Sequence, residues 1–251
     1  MGKIIAVVNQ KGGVGKTTTA VNLTAALTEA GKKVLLCDFD PQANATSGLG
    51  LDKRKLHRSI YDVVINQTPA ADAIVHTKFG DVLPSSSDLA GAAVELITME
   101  NPNHQLRQGL ESVKNDYDVI FIDCPPSLEM LTMNGLAAAD SILIPVQCEY
   151  YALEGLADLM TTLRLMKKRI NPNLDIFGVA LTMFDGRTNF STQVAQEVRR
   201  HFPGKVYATV IPRNVRLAEA PSHGLPVTVY DKNSRGSIAY KAMAQEIIKK
   251  L

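Results

Sequence analysis

The chain of 251 residues contains no tryptophan and only seven tyrosines and seven phenylalanines. Valine, isoleucine, leucine and alanine supply most of its hydrophobic residues. This composition favours helices packed on an aliphatic sheet over an aromatic-rich β-sandwich, and it therefore predicts an α/β fold. The length is sufficient for one large core, so we expect a single domain over residues 1–251.

Cysteine is also scarce, and Cys37, Cys124 and Cys148 lie far apart in the sequence. Three cysteines at this spacing indicate neither a disulfide framework nor a Cys-x-x-Cys zinc site, and we expect all three to be reduced core residues. The five histidines show neither metal-ligand spacing nor acidic neighbours at triad positions. The sequence therefore gives no support to a zinc hydrolase or a nucleophilic hydrolase.

No apolar run approaches the ~20 residues that span a bilayer, and the first residues lack the pattern of a secretory signal. We expect a cytoplasmic protein with no membrane partner. Residues 1–160 carry 12 Lys and Arg against 19 Asp and Glu, a net charge of −7, whereas residues 161–251 carry 15 against 6, a net charge of +9. The basic portion could face a polyanion, although scattered solvated lysines explain the counts equally well.

Short apolar runs alternate with helix-sized segments along the chain. Strands are predicted at 3–9, 33–40, 117–123, 141–147, 177–184 and 205–212. Because these runs are almost uninterrupted, each strand should be buried on both faces, as in a parallel sheet covered by helices. Helices are predicted at 17–30, 153–169 and 237–250. The expected architecture is a doubly wound, mostly parallel sheet flanked by helices.

A glycine-rich loop, QKGGVGKTT, lies between the first predicted strand and the first predicted helix. This order is typical of a P-loop, in which backbone N–H groups and the helix N-terminus point at phosphate oxygens. Lys16 would neutralise the β- and γ-phosphates of ATP, and the Thr17 hydroxyl would ligate Mg²⁺. The nucleotide-binding residues that this pattern predicts in the loop are Gly12, Gly13, Val14, Gly15, Lys16, Thr17 and Thr18.

The loop departs from the general pattern Gly-x-x-x-x-Gly-Lys-Ser/Thr, because Gln10 occupies the position of the first glycine. Instead, KGGVGKTT resembles the deviant Walker A loop of the ParA/MinD superfamily, which has a P-loop NTPase fold. The resemblance implies that Lys11 reaches the phosphates of a nucleotide held by a partner subunit, much as an arginine finger does. It also implies a homodimer that forms with ATP, so that dimerisation and hydrolysis are coupled.

Carboxylates end two of the predicted strands: Asp38 and Asp40 follow one, and Asp123 ends another. In a doubly wound sheet these positions share one edge with the loop. By resemblance, Asp40 orients the attacking water, Asp123 acts on Mg²⁺ through its water shell, and Asp38 supports the magnesium site. Lys11, Lys16 and Asp40 are then the expected catalytic residues of an ATPase. A helix cap or a turn is the competing explanation for any one such aspartate.

The resemblance covers the whole chain. DFDPQANATSGLG, IDCPPSLEMLTMN, PVQCEYYALEGL and VIPRNVRLAEAPSHGLPV resemble the chromosomal ParA, or Soj, branch, whose members partition chromosomes or plasmids together with ParB. In this branch Pro212 and Asn214 would contact the adenine end of the nucleotide, although a turn explains Pro212 equally well. Because the loop begins at Gln10, we expect no operator-reading domain before it.

The same resemblance implies that Arg187 and Arg216 bind double-stranded DNA nonspecifically. Phosphate contacts of this kind give salt-dependent affinity without base reading, and they would associate the ATP-bound protein with the nucleoid. Weaker candidates are Arg199, Arg200, Lys232 and Arg235.

Two alternatives remain open. A MinD-type membrane-cycling ATPase would use the last helix, whose apolar face comprises Tyr240, Met243, Ala244, Ile247 and Leu251, but its length favours packing on the sheet. A metabolic P-loop ligase would need a substrate pocket beyond the nucleotide, and the sequence reveals no residues for one.

Overall fold

The architecture is a parallel sheet between two layers of helices. The computed structural model describes residues 2–127, 129–149 and 152–251, without the side chains of residues 152–154. The strands are β1 Lys3–Val7, β2 Val34–Asp38, β3 Asp81–Leu83, β4 Val119–Asp123, β5 Ser141–Gln147 and β6 Asp175–Thr182. Their order in the sheet is β3-β2-β4-β1-β5-β6, with every pairing parallel. The predicted doubly wound α/β fold is confirmed.

The helices connect successive strands on both faces of this sheet. They are α1 Lys16–Glu29, α2 Asn44–Gly48, α3 Ile60–Val64, α4 Ala70–Ala73, α5 Leu89–Thr98, α6 Gln105–Glu111, α7 Met130–Ala138, α8 Ala152–Arg169, α9 Asn189–His201, α10 Val215–Glu219, α11 Val227–Tyr230 and α12 Arg235–Ile248. Single 3₁₀ turns occupy Lys114–Asp116 and Ala220–His223. No helix of the described ranges has both the length and the apolar character needed to cross a membrane.

Alternate residues of the central strands enter two separate hydrophobic cores. In β4, Ile120 and Ile122 pack in one core, whereas Val119 and Phe121 pack in the other. This burial on both faces explains the uninterrupted apolar runs of the sequence. The register aligns Val7 with Asp123 and Asp38 with Asp123, so the carboxyl ends of β1, β2 and β4 lie level at one edge.

The strand predicted at 205–212 is wrong. This segment runs beside β6 but forms only isolated bridges, which pair Val179 with Val206 and Phe184 with Pro212. Between them, the N–H groups of Ala208 and Thr209 donate to the Glu246 carboxylate of α12 at 2.9 and 2.8 Å, respectively. A helix side chain therefore takes the hydrogen bonds that a ladder would need. The prediction also missed β3, which has only three residues.

The remaining structural predictions are largely confirmed. Cys37, Cys124 and Cys148 are free and buried. In α12 the side chains of Tyr240, Met243, Ala244 and Ile247 are buried in the core, which confirms the core-packing interpretation of that face. Leu251 was wrongly assigned to it: the helix ends at Ile248, so the helical spacing does not continue, and Leu251 is 43% exposed.

Replacing Gly178 in β6 by alanine tests the packing of the segment beside that strand. A Cβ atom at Gly178 would lie 2.6 Å from Cζ and 2.7 Å from the hydroxyl oxygen of Tyr207, which is buried. Overpacking of this kind costs about 1–3 kcal/mol, so we expect a lower free energy of unfolding in urea. The control is Gly91→Ala in α5, where the new Cβ contacts only Glu95 at 3.5 Å, and where alanine favours the helix by up to about 1 kcal/mol. Equal stabilities of Gly178→Ala and the wild type would contradict this packing.

Candidate active site

The glycine loop between β1 and α1 depends on two left-handed residues. Gly13 has φ +74° and Gly15 has φ +88°, a region that residues with a side chain rarely adopt. Gly15 is also the N-cap of α1 and provides no side-chain hydrogen bond to the helix. The first N–H groups of α1 are therefore not capped by this residue, as expected for a helix N-terminus that receives an anion.

Neighbouring strands hold this loop in place. The Thr182 hydroxyl at the end of β6 donates to the Val14 carbonyl at 2.8 Å. The Asn9 amide donates to the Pro145 carbonyl at 2.7 Å, and its oxygen accepts from the Lys11 N–H at 3.0 Å. The sequence analysis missed Asn9 and Thr182 as positioning residues. Asn9 could have been noticed as a polar side chain at the end of a buried apolar run.

Lys16 is buried within the loop, with 7% of the residue exposed. Its ammonium donates to the Lys11 carbonyl at 3.2 Å. Burial lowers the pKa of Lys16, and the nearby carboxylates of Asp123 and Asp40 act in the opposite direction. The structure therefore brings the predicted phosphate-binding lysine together with two of the three predicted carboxylates.

Asp123 at the end of β4 is fully buried, and neither of its carboxylate oxygens has a hydrogen-bond partner of ordinary geometry among the described residues. Burial, followed by the charge of Asp38, raises the pKa of Asp123 well above its usual value, while the Thr17 hydroxyl and Lys16 lower it. A buried carboxylate without donors is costly. A hydrated divalent cation beside Thr17 would provide the missing donors and the compensating charge, so the residues fit Mg²⁺.

Asp38 makes a different set of contacts. One carboxylate oxygen accepts from both the N–H and the hydroxyl of Thr46 at 2.7 Å, and the other accepts from the Asp40 N–H at 3.3 Å. Burial raises the pKa of Asp38 to about 6, against the effect of these hydrogen bonds. Asp38 thus holds the segment that carries Asp40. Its predicted support of the magnesium site stays a prediction.

Asp40 is nearly buried, at 8% exposed, and its carboxylate accepts from the Gln42 N–H at 2.9 Å. The Asp40 carbonyl accepts from the N–H of Ala43, which has φ +53°. This tight turn fixes the carboxylate. Within the described residues, no group of three or more His, Cys, Asp and Glu side chains could hold a metal ion by itself. Bound Mg²⁺ would therefore take most of its ligands from water and phosphate, as it usually does.

Lys11 lies near an acidic residue that the sequence analysis missed. Its ammonium is 3.9 Å from the Glu149 carboxylate, which also accepts from Arg213 at 3.2 Å and from Gln147 at 2.6 Å. Glu149 follows β5 directly, so its position after a buried strand was the available signal. The pair places the negative charge of Glu149 beside the loop.

A cavity of ≈ 360 Å³ adjoins the loop, and the predicted adenine-contacting residues line it. Its walls include Gly15, Thr18, Pro212, Asn214 and Tyr240. The Asn214 oxygen accepts from the Arg216 N–H at 3.0 Å and thereby caps α10. A larger cavity of ≈ 500 Å³ lies where β2 and β3 begin, at the opposite edge of the sheet, and none of the predicted site residues line it.

Each of the two predicted DNA-binding arginines forms an ion pair with a neighbouring carboxylate. Arg187 forms a two-pronged ion pair with Asp185 at 2.9 and 2.7 Å, which lowers the pKa of Asp185 to about 2. Arg216 pairs with Glu219 at 2.7 Å and with Asp231 at 3.3 Å. The Arg187 side chain is 87% exposed and the Arg216 side chain is 47% exposed. To bind a DNA phosphate, each guanidinium group would have to release its carboxylate partner or contact both groups at once.

The glycine loop follows β1 of a parallel sheet, and a buried lysine and carboxylates lie at the same edge. These features define the class of P-loop nucleotide-binding proteins, and the chain is one of them. The AAA domain family matches residues 2–176. The sporulation initiation inhibitor protein Soj of Bacillus subtilis is 55% identical over 98% of each chain, and the chromosome partitioning protein ParA of Myxococcus xanthus is 49% identical over 100% of this chain and 89% of its own. The chain belongs to the Soj/ParA family of chromosome-partitioning proteins, which confirms the resemblance.

A solved structure of similar shape is that of cobyrinic acid a,c-diamide synthase from Mycobacterium smegmatis with a bound ATP analogue and magnesium. Its TM-score is 0.87, its sequence is 37% identical, and the match covers 99% of this chain and 95% of the other. The comparison agrees with the P-loop fold derived from the strand order.

Proposed function

We propose that the chain, acting as one domain over residues 1–251, is a DNA-partitioning ATPase. It binds ATP and Mg²⁺, forms a homodimer, holds double-stranded DNA without sequence preference and is released when a ParB-type protein stimulates hydrolysis. In the cell it would be cytoplasmic and, with ATP, associated with the nucleoid. The observation that carries the proposal is the buried carboxylate of Asp123, which has no hydrogen-bond partner of ordinary geometry among the described residues and lies near Lys16 and Thr17 of the glycine loop.

Each residue of the site has a role in this reaction. The loop N–H groups and Lys16 would hold the phosphates, while Thr17 and Asp123 would hold Mg²⁺, which neutralises charge on the transferred phosphoryl group. Asp40 would orient the water whose oxygen bonds to the γ-phosphorus as the bond to the β-phosphate oxygen breaks. Lys11 of the partner subunit would stabilise the charge of the transferring group. Asp40 is suited to its role because Gln42 already fixes its carboxylate.

The ion pair between Lys11 and Glu149 is weak. The pair is long, at 3.9 Å, and the two side chains are 32% and 46% exposed. Exposed pairs of this kind contribute about 0–1 kcal/mol. A nucleotide phosphate in a dimer interface would therefore compete effectively with Glu149 for the ammonium.

The proposal is tested by measuring retention on DNA of arbitrary sequence with ATP, with ADP and without nucleotide, over a range of salt concentrations. We expect binding with ATP and Mg²⁺ only, and a logarithm of affinity that falls linearly with the logarithm of salt concentration. Addition of a ParB-type protein should shorten the lifetime of the complex. Absence of DNA retention with ATP at low salt would contradict the proposal.

Arg216→Ala should separate DNA binding from dimerisation. A dimer would lose two charge-assisted phosphate contacts, each contributing about 1.5–3 kcal/mol, so DNA affinity should fall by roughly 100-fold or more. Light scattering should still show an ATP-dependent dimer. Arg107→Ala, an exposed arginine of α6, is the matched control and should bind DNA normally. Normal DNA affinity of Arg216→Ala would remove this residue from the proposed interface.

Two alternatives have distinct outcomes. A MinD-type membrane cycle predicts ATP-dependent sedimentation with liposomes, but the apolar face of α12 is buried and Tyr240 contacts Thr19 of α1 at 3.1 Å. An amide-forming enzyme, as the name of the structural relative suggests, predicts ATP turnover that depends on a small acid or amine and is indifferent to DNA and to ParB.

A further inference from the structure

The cavity of ≈ 500 Å³ where β2 and β3 begin, which we call the distal cavity, has no part in the proposed ATPase site. It shares no lining residue with the cavity beside the glycine loop. Helix α1 connects the two regions, because Lys16 lies in the loop and Thr28, in the last turn of the helix, lines the distal cavity. At 1.5 Å per residue these two positions are roughly 18 Å apart along the helix. A ligand of the distal cavity would therefore be distinct from the nucleotide.

Part of the wall of the distal cavity is apolar. The side chains of Val34, Ala71, Ile74 and Val113 line it, and Val34 and Val113 belong to the buried interior. Its volume lies within the range of roughly 300–1,000 Å³ that is usual for small-molecule sites, which combine apolar walls with a few polar groups. The distal cavity is thus large enough for a small organic molecule with an apolar body.

The Asp81 carboxylate in the wall already has partners at both oxygens. The Tyr117 hydroxyl donates to one oxygen at 2.8 Å, and Nδ1 of His76 lies 2.9 Å from the other. Burial, followed by the hydrogen bond to Asp81, raises the pKa of Tyr117, so its hydroxyl keeps the proton that it donates. Asp81 therefore serves to fix the wall, and its charge is compensated within the protein.

Two lysines, Lys32 and Lys33, bring positive charge to the distal cavity. Neither forms an ion pair with any residue that the structure describes. Besides Asp81, the acidic residue among the described lining residues is Asp116, which is exposed. The Thr28 hydroxyl is buried and has no hydrogen-bond partner among the described residues. Such a hydroxyl is costly, and an acceptor oxygen of a ligand would relieve the cost.

These groups select a ligand that is negatively charged at one end and apolar at the other. We propose that the distal cavity binds a small organic anion, with a carboxylate or phosphate group against Lys32 and Lys33 and an apolar part against Val34, Ile74 and Val113. A lysine ammonium is a compact charge with three rotatable donors, so it can bind either oxyanion. The inference goes beyond the proposed ATPase function and does not depend on it.

The test measures the fluorescence of anilinonaphthalene sulfonate, an aromatic anion, with the full-length protein in the absence of nucleotide. We expect saturable binding of one dye molecule per chain. Lys33→Gln removes one charge-assisted contact and should weaken binding by about 10-fold. Ala71→Phe, at an exposed position of α4, should also weaken it, because the larger side chain fills part of the distal cavity. The matched control Lys249→Gln changes an exposed lysine after α12 and should bind the dye as the wild type does.

Competition with phenyl phosphate and with benzoate distinguishes the two kinds of ligand, since the preferred group displaces the dye at the lower concentration. Failure of both competitors would overturn the inference. If Lys33→Gln and Ala71→Phe bound the dye with wild-type affinity, the dye would lie elsewhere, and the inference would be wrong. An equal loss in Lys249→Gln would indicate unspecific attraction to surface lysines, with the same conclusion. Circular dichroism of each variant verifies that it is folded.

Discussion

Substitution of Lys16 by alanine is expected to lower the affinity for nucleotide strongly. Lys16 is the buried cation of the glycine loop, and its charge lies near the carboxylates of Asp123 and Asp40. In the bound state it would make charge-assisted contacts with the phosphates, and their loss should cost about 3 kcal/mol or more, which is roughly 100-fold in affinity. Equilibrium binding of a fluorescent ATP analogue measures the change directly.

Thermal unfolding separates this effect from a loss of folding. ATP and Mg²⁺ at 100 times the wild-type Kd should stabilise the wild type by about 2.7 kcal/mol, whereas Lys16→Ala, with an affinity 100-fold weaker, should be stabilised by only about 0.4 kcal/mol or less. Lys249→Ala removes the charge of an exposed lysine just after α12 and should behave as the wild type. If Lys16→Ala kept the full ligand-induced shift, the assignment of the loop to phosphate binding would be wrong.

Asp40→Ala should bind ATP but hydrolyse it slowly. The carboxylate is held in a tight turn beside the loop, where the proposed reaction would need a positioned water, and removal of such a group lowers hydrolysis by roughly 100-fold or more. Because Asp40 is not needed to hold phosphate, ATP affinity should be retained. The variant is therefore expected to persist as an ATP-bound dimer on DNA, with a long residence time even when a ParB-type activator is added.

Phosphate release measures the rate of hydrolysis, and light scattering measures the persistence of the dimer. The matched control is Asp116→Ala, which removes an exposed carboxylate just before β4, at the opposite edge of the sheet from Asp123. It should hydrolyse ATP at the wild-type rate. Wild-type turnover by Asp40→Ala, or a variant that remains monomeric with ATP, would contradict the proposed role.

Much of the fold could be predicted because its signals are local. Strands β1, β2, β4, β5 and β6 are buried on both faces, and each appears in the sequence as an apolar run. β3 could not be recognised because three residues provide no periodicity. The segment 205–212 has the composition of a strand, and its failure to form one depends on Glu246, a residue of another element.

The part of the site that consists of consecutive residues could be predicted from the sequence. Gly13, Gly15, Lys16 and Thr17 form one loop, and the structure places Asp123 and Asp40 beside it. Asp38 is different, because a carboxylate at the end of a strand has the same sequence pattern whether it binds a metal or accepts hydrogen bonds. Its bonds to Thr46 come from eight residues further along the chain.

The sequence by itself determined the glycine loop, the parallel α/β architecture and the family, since backbone conformation, strand burial and the order of motifs depend on neighbouring residues. Only the tertiary structure decided which charged side chains lie close together. Among the residues that the structure describes, it left the Asp123 carboxylate without a donor of ordinary geometry. It also placed Glu149 between Lys11 and Arg213 and brought Arg187 and Arg235 to one cavity. These contacts join residues from different strands and helices, and no local pattern specifies the distance between them.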